Sequence, residues 1–282
     1  MNDMSKFPVS NVPEFSVVIA TQATPEKMAQ TQQCASLWVQ GLSDLPLAPF
    51  IIPCVGKVSI ANAYNEAVAN CSTPYIILSH NDAFPPAALG RRVGQRLLSH
   101  METHDLDLAG FCGSSRFTGP RWQDCNTDLY GAVLNIPPVP KPGDPFSAVV
   151  WRRPARVVTG IRVLDGYCLV ARTSAIRDIG FDESYTGFHF YDMLTALKCS
   201  KAGKRVAVLC DVPILHQSSV GYSDPAWSAD IERFLNECRG IADPGLVGLA
   251  RTPGSISSPF PGMVLDALEK ECEQLPAILE IK

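Results

Sequence analysis

The 282-residue sequence has no Cys-x-x-Cys pair, although it holds ten cysteines. Structural zinc sites and disulfide frameworks both rest on recurrent cysteine spacings, so this scatter argues for reduced, buried thiols in a cytoplasmic protein. Residues Met1 to Lys6 lack the basic-then-apolar order of a signal peptide. No apolar run is long enough to span a bilayer, so the expectation is a chain without a transmembrane segment, with peripheral membrane association left open. The net charge of −4 gives no overall basic signature, and no nucleic-acid partner is expected. A local basic cluster, Arg152, Arg153 and Arg156, reads as a solvated loop. No G-x-G-x-x-G follows the first apolar run and no G-x-x-x-x-G-K-[ST] occurs anywhere. The usual dinucleotide and P-loop phosphate cradles are therefore excluded.

An apolar content of 46% is ample for a buried core. Its arrangement is informative. Phe15 to Ala20, Pro49 to Cys54, Tyr75 to Asp82 and Leu106 to Cys112 are short apolar runs without alternation, the pattern of strands covered on both faces. Between them lie helical stretches at about 26–40, from an N-cap at Ser59 to about Asn70, and at Arg91–His100. Strands alternating with helices at these spacings predict an α/β fold with a mainly parallel sheet. From Gly113 the texture becomes loop-like, with a proline-rich loop at 136–145 and extra strands near 149–151 and 156–163. A strand to Arg172, a helix at 173–179, a helix ending near Gly203, a strand at 205–209 and a helix at 226–238 follow. The tail has a glycine- and proline-rich linker and a helix near 264–274. The expected organisation is an N-terminal arm (1–14), one domain (15–240, with halves meeting near 112) and a linker with a terminal helix (241–282).

Four polar side chains stand where strands or loops end: Asp82, Asp165, Asp192 and His216. Ligands of open α/β sheets bind outside the carboxyl ends of the strands. Asp82 is a hard oxygen ligand and neutral His216 a nitrogen ligand, a set that suits Mn²⁺ somewhat better than Mg²⁺. Asp192, at a helix start, is placed to take a proton from a hydroxyl. Each has a plainer reading: Asp82 caps a helix near Pro86, Asp192 complements a helix dipole, and His216 is a satisfied strand-end histidine. Trp122, Phe188 and His189 lie in loops, where exposed aromatic rings can stack on a ligand; the plainer reading of Trp122 and Phe188 is a small satellite core.

Phe181-Asp182-Glu183, Phe188-His189-Phe190-Tyr191-Asp192, Ala202-Gly203 and His216-Gln217-Ser218 resemble the second half of family 2-type glycosyltransferases. His80-Asn81-Asp82 is similar to the His-x-Asp motif of a bacterial glycosyltransferase-like subgroup of the GT-A fold. Tyr64-Asn65, Ala109-Gly110, Gly113-Ser114, Trp122 and Asp165-Gly166 fall in the expected order, and the likeness covers roughly residues 15–240. The resemblance implies a GT-A-like sheet flanked by helices, with a small acceptor-side mixed sheet. It implies a UDP- or GDP-linked sugar donor held through Mn²⁺ or Mg²⁺ at Asp82 and His216, and Asp192 as the base of an inverting transfer. Donor contacts fall on Thr21, Gln22, Asn62, Asn65, His80 and Asn81. Acceptor contacts, to a glycan or lipid-linked sugar in polysaccharide biosynthesis, fall on Trp122, Asp165, Gly166, Phe188 and His189. The sequence departs from the family pattern in three places. His80 replaces the first acid of the metal motif, the second strand ends without an acid, and Tyr191 stands where relatives carry Glu. Two other classes compete: a relative that binds sugar nucleotides without turnover, and a nucleotidyltransferase. The latter wants a Gly-rich, basic turn after the first strand, which Thr21-Gln22-Ala23-Thr24 does not supply.

Overall fold

The computed structural model describes residues 12–125, 128–136, 146–185, 187–217, 225–243 and 253–281. Most of the N-terminal arm, the proline-rich loop from 137, Ser218 and the linker at 244–252 lie outside the described residues. The first half runs β1 (Phe15–Thr21), α1 (Pro25–Gly41), β2 (Phe50–Val55), α2 (Ile60–Asn70), β3 (Tyr75–His80), β4 (Ala83–Phe84), α3 (Gly94–Thr103) and β5 (Leu108–Gly110). The middle adds β6 (Cys112–Ser114), β7 (Leu129–Asn135), β8 (Phe146–Val150), β9 (Val157–Thr159), β10 (Val163–Leu164), β11 (Cys168–Arg172) and α4 (Thr173–Ile179). Then come α5 (Tyr191–Lys201), β12 (Val206–Leu209), β13 (Leu215–His216), α6 (Pro225–Glu237), β14 (Gly254–Ser258), α7 (Pro261–Glu273) and β15 (Ile278–Glu280).

The unalternated apolar runs do what their pattern predicts. Every residue of β1 is buried. Phe15, Val17 and Ile19 enter one core with Trp38 of α1, whereas Val18 and Ala20 enter a second core with α2. In β3, Tyr75 and Ile77 face the first core and Ile76 and Leu78 the second. Helices α1 and α2 begin where short polar side chains satisfy free amide groups. Thr24 accepts from the Lys27 amide at 3.3 Å and Ser59 from the Asn62 amide at 3.1 Å.

The large sheet has the order β15-β9-β12-β5-β11-β3-β1-β2. Its β2-β1-β3 portion is parallel, β11 inserts antiparallel between β3 and β5, and β12 runs parallel to β5. A second, mixed sheet holds β10-β6-β7-β13-β4, with β8 paired to β7 and β14 to β8. This is the expected α/β arrangement, with a smaller mixed sheet beside the main one. All ten cysteines are free and buried. Among the described residues, no helix is long and apolar enough to cross a membrane.

Two features depart from the sequence pattern. The third strand stops at His80, and after the Asn81-Asp82 turn the chain enters the second sheet as β4. Only a single 3₁₀ turn, Ala87–Leu89, follows, with no side chain capping it, so Asp82 is not a helix cap. The tail also gives strands as well as a helix: β14 pairs with β8, and β15 with β9. Helix α7 buries Val264, Leu265, Leu268 and Cys272, and the first three join the main core.

Candidate functional site

The two sheets meet where β3 ends. Strand β4 pairs antiparallel with β13, setting Ala83 opposite His216, and the Gln217 amide donates to the Asp82 carbonyl at 2.8 Å. These backbone bonds hold Asp82 and His216 side by side. His216 Nε2 lies 3.6 Å and His80 Nδ1 4.0 Å from Asp82 Oδ1. Potential ligand atoms of all three lie within 4.8 Å of one another. Asp82 Oδ1 is buried and has no hydrogen-bond partner. A buried carboxylate oxygen without a donor is costly and rare. An oxygen between two imidazoles that offer it no hydrogen bond suits a divalent cation, so the residues present fit the ion that the family resemblance implies. His216 stacks on Tyr167 with ring centroids 4.8 Å apart. The His80 pKa is lowered, chiefly by burial, with His216 acting in the same direction, which favours the neutral, ligand-competent ring.

A cleft of about 430 Å³ opens beside this cluster, lined by Trp122, Trp151, Asp165, Gly166, Phe188, His189, Asp192 and His216 among others. Asp192 sits in the first turn of α5, where its Oδ1 accepts from the Met193 amide at 2.8 Å. Burial first, and the Asp165 charge second, push its pKa up from 3.8 to about 7. The helix start is aimed by Phe190, whose backbone is left-handed at φ +66°. Such a conformation costs a side-chain-bearing residue about 1–3 kcal/mol. Stacking of Phe190 on Phe234, 4.5 Å between centroids, and on Trp227 holds it in place. Gly166 is required by close approach: a Cβ there would collide with the Tyr191 hydroxyl and lie 2.6 Å from the Asp192 Cβ. The Tyr191 hydroxyl donates to the Gly166 carbonyl at 2.6 Å and lies 2.9 Å from His80 Nε2.

Trp122 is not an exposed platform. It is 4% exposed, meets Trp151 edge-on at 4.8 Å, and donates Nε1–H to Asp165 Oδ2 at 2.8 Å. Asp165 Oδ1 also accepts from the Tyr167 amide at 3.3 Å. Trp122→Phe removes the indole donor from the Asp165 carboxylate. We expect it to lower unfolding free energy by about 1.5–3 kcal/mol, as for loss of a charge-assisted bond, read as an earlier urea midpoint at unchanged slope. Phe188, in contrast, is 45% exposed.

A second cavity of about 260 Å³ lies over the carboxyl ends of β1 and β2, lined by Thr21, Gln22, Cys54, Lys57, Ser59 and others. Phe188 lines both cavities. Asn81 is buried and donates to Thr21 Oγ1 at 3.1 Å, tying the turn to β1. Asn62 and Asn65 are committed elsewhere. Asn62 Nδ2 donates to Glu183 Oε2 at 3.1 Å, while Asn65 binds Glu183 Oε1 and both the carbonyl and amide of Phe181. They pin the loop that leads to α5. Tyr167, Tyr191, Trp151, Phe190 and Lys57 also belong to the site or its support. Phe190 and Tyr191 stand inside the motif that runs from Phe188 to Asp192, Tyr167 and Trp151 carry only the signal of aromatic density near other motif residues, and Lys57 carries none.

A sequence profile of the Glycosyltransferase like family matches residues 50–237. No curated protein sequence matches the chain. Among solved structures, S. aureus TarS is 12% identical, with 93% of this chain and 71% of that chain covered at a TM-score of 0.45. A mutant of Drosophila β-1,4-galactosyltransferase 7, in complex with manganese, UDP-Gal and xylobiose, is 11% identical, with 86% and 93% covered at a TM-score of 0.43. The Pyrobaculum calidifontis mannosyltransferase PcManGT, in complex with GDP-Man and Mn²⁺, is 13% identical, with 93% and 69% covered at a TM-score of 0.46.

Proposed function

The chain belongs to the Glycosyltransferase like family, and on that premise we propose that it moves a sugar from a UDP- or GDP-linked donor to a glycan or glycolipid hydroxyl with inversion. The observation that carries this reading is the unpartnered Asp82 Oδ1, faced by two imidazoles beside a cleft that holds a second, proton-accepting carboxylate. Asp82 and His216 would hold the divalent cation, Mn²⁺ or Mg²⁺. When bound, it supplies the positive charge that stabilises the leaving nucleoside diphosphate. Thr21 and Gln22 border the cavity next to it, and this is where the nucleoside of the donor belongs. Phe188 separates that cavity from the larger cleft and contributes an exposed apolar face to each.

In the cleft, Asp192 takes the proton from the acceptor hydroxyl as that oxygen attacks the anomeric carbon. A base works best with a pKa near the working pH, and burial beside Asp165 brings this carboxyl there. Asp165, held by Trp122 and the Tyr167 amide, keeps lone pairs for acceptor hydroxyls. One displacement with no covalent intermediate inverts the anomeric centre. Calorimetry with UDP and GDP, in Mn²⁺ and in EDTA, tests the reading. We expect binding with Mn²⁺ and at least a ~10-fold loss in EDTA, comparable to losing one charged contact. Equal affinities in the two buffers would remove Asp82 and His216 from the role of cation ligands.

A further inference from the structure

We propose that Tyr191 fixes the imidazole of His80 as a third ligand of the cation, a step that rests on the sugar-transfer reading above. The logic is one of donors and acceptors. The Gly166 carbonyl can only accept, so the Tyr191 hydroxyl, 2.6 Å away, spends its proton there. The same oxygen lies 2.9 Å from His80 Nε2 and must accept from it. His80 therefore carries its proton on Nε2, and Nδ1 bears a lone pair. That lone pair faces Asp82 Oδ1 across 4.0 Å. Two acceptors facing one another with no proton between them is an arrangement that a cation relieves. Metal–ligand distances of about 2.0–2.2 Å put neighbouring ligands roughly 3–4 Å apart, and Asp82 Oδ1 meets both imidazoles at such spacing.

Tyr191 is rigid enough for the task. Its ring is buried and meets Tyr64 edge-on at 5.8 Å and Phe181 at 6.1 Å. It is thus a positioning residue, and it ties the Asp165-Gly166 turn of the cleft to the ligand set. A hydrogen bond to the far nitrogen of a ligating histidine sets its tautomer and raises its basicity. The resulting set has two nitrogens and one oxygen, which favours Mn²⁺ over Mg²⁺. His80 then does more than replace an acid: it shifts the cation preference.

The test has two arms on the full chain. Long-range ¹H–¹⁵N NMR of the metal-free protein should show His80 protonated at Nε2 and bare at Nδ1, and Tyr191→Phe should mix the tautomers. Calorimetry with Mn²⁺ or Mg²⁺ in the presence of UDP or GDP should show Tyr191→Phe weakening Mn²⁺ by ~10–100-fold. His80→Asp should narrow the Mn²⁺/Mg²⁺ ratio, and adding Tyr191→Phe to it should cost little more, because the bond it removes is already gone. A parent protein with His80 protonated at Nδ1, or a Tyr191→Phe variant that binds Mn²⁺ as the parent does, overturns the proposal alone. A parent that binds no Mn²⁺ with either nucleotide overturns the cation-dependent form of the sugar-transfer reading and this one with it. Should Tyr191→Phe not fold, the parent tautomer and the His80→Asp cation ratio decide.

Discussion

Asp192→Asn is expected to slow sugar transfer by ~10²–10⁴-fold, the usual cost of losing a general base, while nucleotide and Mn²⁺ binding stay at parent levels. The amide keeps the size of the side chain and an oxygen for the Met193 amide, which Asp192 Oδ1 now binds at 2.8 Å. It cannot take the acceptor's proton. The parent rate should fall as pH drops below about 7, the value to which burial and Asp165 raise this carboxyl. The same shift governs stability. The folded protein holds a proton on Asp192 between about pH 4 and 7 that the unfolded chain releases, so this contribution is complete below the unfolded value and is lost as pH rises through 7. The variant should therefore be about 1–2 kcal/mol more stable than the parent at pH 8, with solvent screening counted, and level with it at pH 4. A transfer rate near the parent's would reduce Asp192 to a helix-start acid and move the base to Asp165, Asp182 or Glu183.

Asp82→Asn separates function from stability in the same way. The buried Oδ1 has no donor, and its neighbours His80 Nδ1 and His216 Nε2 stand at 4.0 and 3.6 Å. An amide NH₂ supplies a donor to these nitrogens, and relief of an unsatisfied buried oxygen is worth about 1–3 kcal/mol. We expect the melting temperature of the metal-free protein to rise by a few degrees, at roughly 2–4 °C per kcal/mol for a chain of this order of size. The further rise that Mn²⁺ with UDP or GDP gives the parent should vanish. A parent-like response to Mn²⁺ in this variant would place the cation elsewhere.

Much of the α/β architecture is legible locally. The runs at 15–20 and 75–80 lack alternation because β1 and β3 are covered on both faces, and Thr24 and Ser59 mark helix starts by offering oxygens to free amides. The polar ends of those elements, Asp82, Asp165, Asp192 and His216, stand out because apolar runs stop at them. These signals depend on neighbours a few residues away, and for that reason one chain read alone carries them.

What brings the polar ends together is non-local. Strands β4 and β13 are two residues each, too short for any period to show, yet their pairing sets His216 opposite Ala83, and with the Gln217 amide bond to the Asp82 carbonyl it brings His216 beside Asp82. Burial of Trp122 depends on Trp151 and Asp165, and the commitment of Asn62 and Asn65 depends on Glu183 and Phe181. None of these partners is close in sequence, and polar side chains are assigned by whichever donor or acceptor the packing delivers. The role of His80 shows the division most sharply. The sequence determines that an imidazole precedes Asp82 by two residues; only the tertiary contact with Tyr191, which is itself held by the Gly166 carbonyl, decides which of its nitrogens carries the lone pair.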